Sequence, residues 1–332
     1  MKINGRCPYL VIVGATATGK TSVAIKLAKK ISGEIISADS RQIYKYLTVG
    51  TAKPQGYDIP YHLVDFLEPK EKFSAGEFVR LAEEFIEKIA ARGKQPIIVG
   101  GTGLYIKTLI DGIVRLPSAD EKLRQKLHKL VETRGKKHLH MLLKKFDPAS
   151  AEKIHPNNTV RIIRALEVYY LTGKPISHWH KIHPSPLPLP QRREEESILN
   201  PLPQGERNKV RGFKIFGLEW QRDVLYERIN NRVNWMLDNG MIEETRKLIK
   251  KGYQKDCPAL QSLGYKWVLD YLENKIDYNK MQQLIMRDTR HYAKRQRTWF
   301  KKDKRINWIK LKEPFKSDRV ADDIWKKFYL LV

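Results

Sequence analysis

Residues 9–30 have the sequence YLVIVGATATGKTSVAIKLAKK, an apolar run followed by a glycine-rich loop and a helical pattern. The loop GATATGKT fits the spacing G-x-x-x-x-G-K-[ST]. Its glycines let backbone amides approach phosphate oxygens, Lys20 adds positive charge, and the Thr21 hydroxyl is suited to Mg²⁺. We therefore expect a phosphate-binding loop between a strand and a helix. Its expected phosphate-binding residues are Gly14, Ala15, Thr16, Ala17, Thr18, Gly19, Lys20 and Thr21.

Short apolar runs alternate with helical patterns along the first third of the chain. Strands are expected at residues 9–13, 34–38 and 96–99, and helices from about Lys20 and Ala75. The later run FKIFGLEW predicts one more strand, and the last third is predicted to be helical. Such alternation is typical of a parallel sheet with helices on its faces. The predicted fold class is α/β, with a P-loop NTPase-like parallel sheet core, helices on both faces and an inserted all-helical subdomain.

The stretch between Asp120 and Gly173 is helical and basic, and it contains no predicted strand. Proline recurs between residues 174 and 212, and this predicts an irregular segment because proline interrupts helices and central strands. We therefore predict a core formed by residues 1–119 and 213–332, with a helical insertion at 120–212.

The chain carries 63 Lys and Arg residues against 37 Asp and Glu residues, a formal net charge of +26 over 332 residues. This excess favours a polyanionic partner, with nucleic acid preferred over an anionic membrane or an alkaline host proteome. No apolar run approaches the roughly 18 residues of a membrane span, and no signal-peptide pattern precedes the first strand, which favours a cytoplasmic protein. Two cysteines, Cys7 and Cys257, exclude a disulfide framework and multi-cysteine zinc sites.

Two polar motifs follow predicted strands. Asp39 and Ser40 follow the second strand, and Thr102 lies in GGTGLY after the third. Open α/β sheets bind ligands at this edge, so we expect these motifs beside the phosphate loop. Asp39 is a candidate catalytic carboxylate, with a helix cap or an outer metal ligand as alternatives. The glycines around Thr102 are compatible with close approach of a ligand or with a tight turn alone.

The phosphate loop taken alone indicates a nucleotide such as ATP. An ATPase or GTPase is expected to have an acidic residue at the end of a further strand, where it completes the metal shell. The strand PIIVGG ends in glycines instead. This absence weakens the triphosphate interpretation.

A basic helix is predicted near the C-terminus, in RDTRHYAKRQRTWFKK. Its cations recur three or four residues apart and share one face. Its aromatic residues are suited to stacking on bases or to anchoring the helix in the core. A solvated charged face is the alternative, but the net charge favours RNA binding. The cations are Arg287, Arg290, Lys294, Arg297 and Lys301, and the aromatic residues are His291, Tyr292, Trp299 and Phe300.

The chain resembles the tRNA dimethylallyltransferases, also called tRNA isopentenyltransferases, in ordered blocks from Val11 to about Lys301. These blocks are GATATGKT, DSRQIYKYLTVGTAKP, HLVDFLEPKEKFSAGEF, IIVGGTGLYIKTLIDG, RIIRALEVYYLTGKP, LYERINNRVNWMLDNGMIEE, QSLGYKWVLDYL and TRHYAKRQRTWF. Their order makes the resemblance more specific than any single motif. The eukaryotic members of the family have a zinc finger, and this sequence lacks the cysteine pair needed to build one.

The resemblance implies transfer of a dimethylallyl group from dimethylallyl diphosphate to N6 of adenosine 37 in tRNA, with release of diphosphate and a need for Mg²⁺. Asp39 would act as general base, because the delocalised N6 lone pair makes the amine a poor nucleophile. Arg222 would contact the diphosphate, with Arg228 and Arg232 as neighbouring alternatives. The implied catalytic residues are Asp39, Thr102, Thr16 and Arg222, and the implied metal ligand is Thr21.

We expect a monomer that binds the tRNA anticodon stem-loop. An adenine in that loop must leave its stack to reach a buried site, so we also expect extrusion of the base. An adenylate prenyltransferase acting on free AMP or ATP and a P-loop nucleotide kinase or ATPase are the alternatives. A free nucleotide needs no polyanion-binding surface, so the basic helices favour tRNA. The implied tRNA contacts are Asp39, Ser40, Arg41, Gln42, Thr102, Arg124, Val160, Arg161, Ile162, Ile163, Arg164, Gln261, Ser262, Leu263, Gly264, Tyr265, Lys266, Lys294, Arg295, Gln296, Arg297, Thr298, Trp299, Phe300 and Lys301.

Overall fold

A computed structural model describes residues 9–54, 56, 58–112, 116–182 and 212–330. These residues fall into two compact units, the first belonging to Met1–Ile110 and Glu194–Val332 and the second to Asp111–Arg193. Cys7 and most of the proline-rich segment lie outside the described residues.

The first unit contains a six-stranded sheet in which every neighbouring pair is parallel. The strands are β1 (Tyr9–Gly14), β2 (Gly33–Ala38), β3 (Tyr61–His62), β4 (Gln95–Gly100), β5 (Phe213–Glu219) and β6 (Ile306–Lys310). Their order in the sheet is β3-β2-β4-β1-β5-β6. This confirms the predicted α/β class and the parallel core.

Helices cover both faces of this sheet. The helices of the described residues are α1 (Lys20–Ile31), α2 (Ala75–Ala91), α3 (Gly103–Asp111), α4 (Glu121–Phe146), α5 (Pro148–Lys153), α6 (Thr159–Thr172), α7 (Ile176–Ile182), α8 (Arg222–Asp238), α9 (Met241–Lys250), α10 (Tyr265–Leu272), α11 (Tyr278–Phe300) and α12 (Ser317–Leu330). Leu10 and Ile12 of β1 join a core cluster with α1 and α12, whereas Val11 and Val13 join a second cluster with α2 and α3.

The described part of the second unit is helical, as the sequence predicts, and α4 to α7 enclose their own apolar cluster. The prediction of an irregular segment from residue 174 is wrong at its start, because Ile176–Ile182 is helical. Two contacts explain this helix: Ile176 is buried in the cluster, and the Ser177 amide donates to Asp147 Oδ2 at 3.0 Å. The remainder of the segment, 183–211, lies outside the described residues.

The last third of the chain is not wholly helical, which corrects the prediction for that region. Strand β6 extends the sheet, with Ile306 and Ile309 buried. Its residues INWIK are rich in β-branched and aromatic side chains, but a five-residue edge strand carries little periodicity.

A buried carboxylate links β2 to neighbouring elements. Glu34 is 2% exposed and contacts His62 Nε2 and Arg92 Nη2 at 2.7 Å each, and Lys94 Nζ at 3.0 Å. Burial raises the pKa of Glu34, but hydrogen bonds from His62, Lys94 and Arg92 outweigh this effect and hold its pKa below the ordinary value of 4.5. The ionised form therefore stabilises the fold.

We predict that Glu34→Gln lowers the free energy of unfolding by about 2 kcal/mol at pH 7, because the basic partners lose a buried charge. The folded pKa of Glu34 is depressed, so its stabilisation is present above pH 4.5 and is lost as the pH falls through the folded value. Urea unfolding of both proteins from pH 7 to pH 3 measures this difference. Glu84→Gln, at an exposed ion pair with Lys88, is the control and changes stability little. A difference that stays constant throughout this pH range would contradict the prediction.

Candidate active site

The phosphate loop joins β1 to the first turn of α1, as predicted. Its backbone turns through left-handed conformations at Ala17 (φ 62°) and Gly19 (φ 85°). The Thr18 hydroxyl donates to Ala15 O at 2.9 Å, which fixes the turn from within. The free amides at the start of α1 and the helix dipole make this loop suited to an anion.

Lys20 carries the charge of this loop and donates through Nζ to Ala15 O at 2.6 Å. Burial lowers the pKa of Lys20 from 10.5 to about 7, and Arg232 adds to the lowering while Asp39 opposes it. Burial therefore disfavours the charged form of this lysine.

Asp39 follows β2 and faces the same cleft as the phosphate loop. Its Oδ1 accepts a hydrogen bond from the Arg41 amide at 2.9 Å, and no described residue donates to its Oδ2. The hydrogen bond within this turn occupies only one of the two carboxylate oxygens of Asp39. The second oxygen is available to a ligand proton.

Thr102 and Tyr292 lie near Asp39 in the same site. Thr102 Oγ1 accepts from the Ser40 amide at 3.0 Å and donates to Ser40 Oγ at 3.4 Å, and Tyr292 lines the cleft together with Asp39. Burial and the neighbouring Asp39 raise the pKa of Tyr292 to about 12, so this phenol stays protonated at neutral pH. Thr102 therefore orients the turn that carries Asp39.

The cleft around Asp39 has a volume of about 70 Å³ and a lining that is partly polar and partly apolar. Its polar lining includes Thr16, Asp39, Arg41, Thr51, Arg232, Ser262, Thr289 and Tyr292. Its apolar lining consists of Val233, Met236, Met241, Leu263 and Ile285. Such a division suits a ligand with a charged head and a hydrocarbon tail.

Arg232 is the arginine of α8 that lines this cleft. Burial lowers its pKa while Asp39 raises it, and its Nη2 lies 3.5 Å from Thr51 O. Arg222 does not line the cleft; it is exposed, lies over the Tyr226 ring and borders a separate indentation. Arg228 Nε donates to Ala17 O at 3.2 Å, so it supports the phosphate loop from outside.

Glu244 holds the loop that forms one wall of the cleft. Its Oε2 accepts from the amides of Thr48 and Val49 at 2.6 and 2.8 Å, and its Oε1 accepts from the Gly50 amide at 3.1 Å and from Tyr265 Oη at 2.5 Å. Gly50 and Thr51 of this loop line the cleft. The carboxylate therefore fixes the wall against which Arg232 lies.

Two glycines of GGTGLY are explained by contacts within the chain. A Cβ at Gly100 would lie 2.1 Å from Ala38 O, and one at Gly101 would lie 2.2 Å from Gln296 Nε2. Close approach of the backbone therefore requires the glycine at 100, whereas a side chain at 101 would displace Gln296.

The predicted tRNA contacts in the first unit differ in exposure. Lys294, Arg295, Thr298, Lys301, Gln261 and Lys266 are exposed, and Trp299 is 37% exposed. Phe300, Tyr265, Gln296, Ser262 and Gln42 are buried, and the Gln42 amide is bonded to backbone oxygens of Thr51 and Ala52. Arg297 and Lys301 share Glu219, at 2.7 and 3.0 Å.

In the second unit, Val160 is 77% exposed and Arg161 is exposed, whereas Ile162 and Ile163 belong to the core. The fully buried Glu167 accepts from Arg124 Nε at 2.8 Å and also binds Arg164. These two arginines therefore stabilise the unit as well as presenting part of their charge.

Sequence reasoning did not assign Glu244 or Tyr292 to the site, and it preferred Arg222 to Arg232. Helix geometry offers one signal that could distinguish Arg222 from Arg232. The two are ten residues apart, which corresponds to about 15 Å along α8. No comparable signal indicates which of the basic and aromatic residues of α11 face inward.

The chain is similar to proteins of known family over most of its length. Family models described as IPP transferase and isopentenyl transferase match residues 42–303 and 8–62. The tRNA dimethylallyltransferase of Acetivibrio thermocellus is 45% identical over 326 residues, covering 97% of this chain and 96% of that protein. Among the described residues, no helix has the length and apolarity needed to cross a membrane.

Solved structures give the same relationship. The tRNA isopentenylpyrophosphate transferase of Bacillus halodurans matches with a TM-score of 0.64 and 36% identity, covering 97% of each chain. A eukaryotic dimethylallyltransferase acting on tRNA matches with a TM-score of 0.74 and 28% identity, covering 96% of this chain and 80% of that one. Because the family model spans most of the chain and a relative is 45% identical over almost its full length, the chain belongs to the IPP transferase family.

Proposed function

We propose that this chain transfers a dimethylallyl group from dimethylallyl diphosphate to N6 of adenosine 37 in tRNA. The observation that carries the proposal is the single cleft lined by Asp39, by Thr16 of the phosphate loop and by an apolar wall. The names of the relatives, tRNA dimethylallyltransferase and tRNA isopentenylpyrophosphate transferase, support it.

The diphosphate binds at the phosphate loop through the amides at the start of α1, Lys20 and Arg232. These groups stabilise the negative charge that develops as the bond between C1 of the prenyl group and the diphosphate oxygen breaks. The hydrocarbon chain contacts apolar residues of the cleft, among them Val233 and Ile285, which line it.

Asp39 accepts the proton of the adenine amine. The N6 lone pair forms the new bond to C1, the electron pair of the broken C–O bond leaves with diphosphate, and the N6 proton moves to Asp39 Oδ2. Its other oxygen stays on the Arg41 amide, and Thr102 holds the neighbouring Ser40 amide. The carboxylate therefore meets the amine in a fixed orientation.

Mg²⁺ fits this site with Thr21 as its protein ligand. Among the described residues no group of three His, Cys, Asp or Glu side chains is placed to hold a metal ion. Mg²⁺ commonly takes most of its ligands from substrate phosphates and water, so a threonine hydroxyl beside the diphosphate suffices. When bound, the ion would neutralise charge on the leaving group.

The exposed cations of α11 and of the second unit bind the anticodon stem-loop through its phosphates. The target adenine leaves its stack to reach Asp39, since a stacked base does not enter a cleft of this size. We further propose that the protein acts as a monomer in the cytoplasm.

Asp39→Asn is expected to reduce the single-turnover rate of prenyl transfer by at least 100-fold, because the amide keeps the bond from Arg41 but accepts no proton. Labelled dimethylallyl diphosphate with separate pools of tRNA, AMP and ATP measures the rate and the acceptor. Filter binding should show tRNA affinity within about twofold of wild type. Equal losses of affinity and rate would assign Asp39 to binding or structure instead.

Arg232→Ala is expected to raise the KM for dimethylallyl diphosphate at least tenfold, because a charged hydrogen bond to the diphosphate is lost. Arg222→Ala, on the same helix but outside the cleft, is the matched control and should leave that KM unchanged. Steady-state kinetics at saturating tRNA separate the two. The reverse result would return the diphosphate contact to Arg222, as the family resemblance implies.

Replacing Lys294 and Arg295 by Ala is expected to weaken tRNA binding and to flatten its dependence on salt. Each lost phosphate contact reduces the slope of log K against log salt by roughly 0.7 to 0.9. Lys29→Ala, at an exposed site on α1, is the control. An unchanged slope would identify this part of α11 as a solvated charged face.

A further inference from the structure

Gln296 is a buried side chain that joins two loops of the site. Its Oε1 accepts from the Thr16 amide at 2.8 Å, and its Nε2 donates to Gly101 O at 2.9 Å. The residue is 6% exposed. Thr16 belongs to the phosphate loop, and Gly101 directly precedes Thr102. The Gln296 carboxamide therefore connects the phosphate loop to the turn that carries Thr102.

The surroundings are built around this carboxamide. A Cβ at Gly101 would lie 2.2 Å from Gln296 Nε2, so a larger residue there would displace it. Gln296 also differs from its neighbours Arg295 and Thr298, which are exposed on the same helix. Its side chain faces the interior of the first unit within a segment that the resemblance assigns to tRNA.

The chemistry of the contact is specific to a primary amide. Thr16 presents an N–H donor and Gly101 presents a carbonyl acceptor, so the bridging group needs an acceptor and a donor side by side. An ionised carboxylate supplies the acceptor but no donor, and a thioether supplies neither well.

We infer that Gln296 is a positioning residue that fixes the diphosphate loop relative to Thr102 and Asp39, and that it does not contact tRNA. The inference rests on the proposed function, since it concerns the distance between the prenyl carbon and the adenine amine. A displacement of about 1 Å between reacting groups costs on the order of 100-fold in rate. The bridge therefore acts on the chemical step.

Gln296→Glu tests this inference because its donor returns on protonation. At pH 8 the carboxylate faces Gly101 O without a donor, and the single-turnover rate with both substrates saturating should fall on the order of 100-fold. As the pH falls to 5.5, the protonated acid supplies an O–H donor, and the ratio of variant to wild-type rates should rise. Taking this ratio cancels any pH dependence that both proteins share.

Gln296→Met is the matched control, since it keeps the length of the side chain without a titrating group. Its rate relative to wild type should be low and independent of pH. The affinity of both variants for tRNA should stay within about twofold of wild type, and thermal unfolding verifies that each is folded.

Three results would overturn the inference. Weakened tRNA binding with an unchanged single-turnover rate would make Gln296 a tRNA contact. A ratio of Gln296→Glu to wild-type rates that is the same at every pH would show that Gln296 acts only by packing. A Gln296→Met protein as fast as wild type would show that the bridge is dispensable. Failure of wild type to prenylate tRNA would be a separate result, which removes the proposed function and this inference with it.

Discussion

The site depends on how closely β2 and β4 approach at their carboxyl ends. Ala38 and Val13 both pair with Gly100, so three strands end at one level of the sheet. A side chain at Gly100 would collide with Ala38 O, and the Thr102 amide donates to that same oxygen at 3.2 Å. This contact brings the Asp39 turn, the Thr102 turn and the phosphate loop to one edge, where parallel sheets bind ligands.

The sequence predicted the parts of this arrangement that follow from strand ends. The phosphate loop, Asp39 and Thr102 each lie directly after a strand with a clear apolar run, so their shared edge follows from parallel pairing. Arg232 and Glu244 could not be assigned in the same way, because they come from helices whose phase and packing the sequence does not fix. The strand β6 was missed because edge strands are short, and helix α7 because the prolines beyond it dominate its neighbourhood.

A few buried or half-buried carboxylates each pair with several of the basic side chains. Glu34, Glu167 and Glu219 each bind two or more basic side chains, and each is more buried than the partners it holds. Such an arrangement compensates a buried anion while leaving a net positive cluster at the surface. Residues such as Arg124 and Arg164 therefore combine a structural contact with a charge that remains available to a polyanion.

The burial of Lys20 has a consequence for anion binding at the phosphate loop. Burial lowers the pKa of Lys20 to about 7 and so disfavours its charged form. An anion in the loop would stabilise that charged form and raise the pKa again. At the site proposed above, diphosphate binding would therefore be accompanied by uptake of a proton from solvent, and its affinity would fall as the pH rises above neutrality.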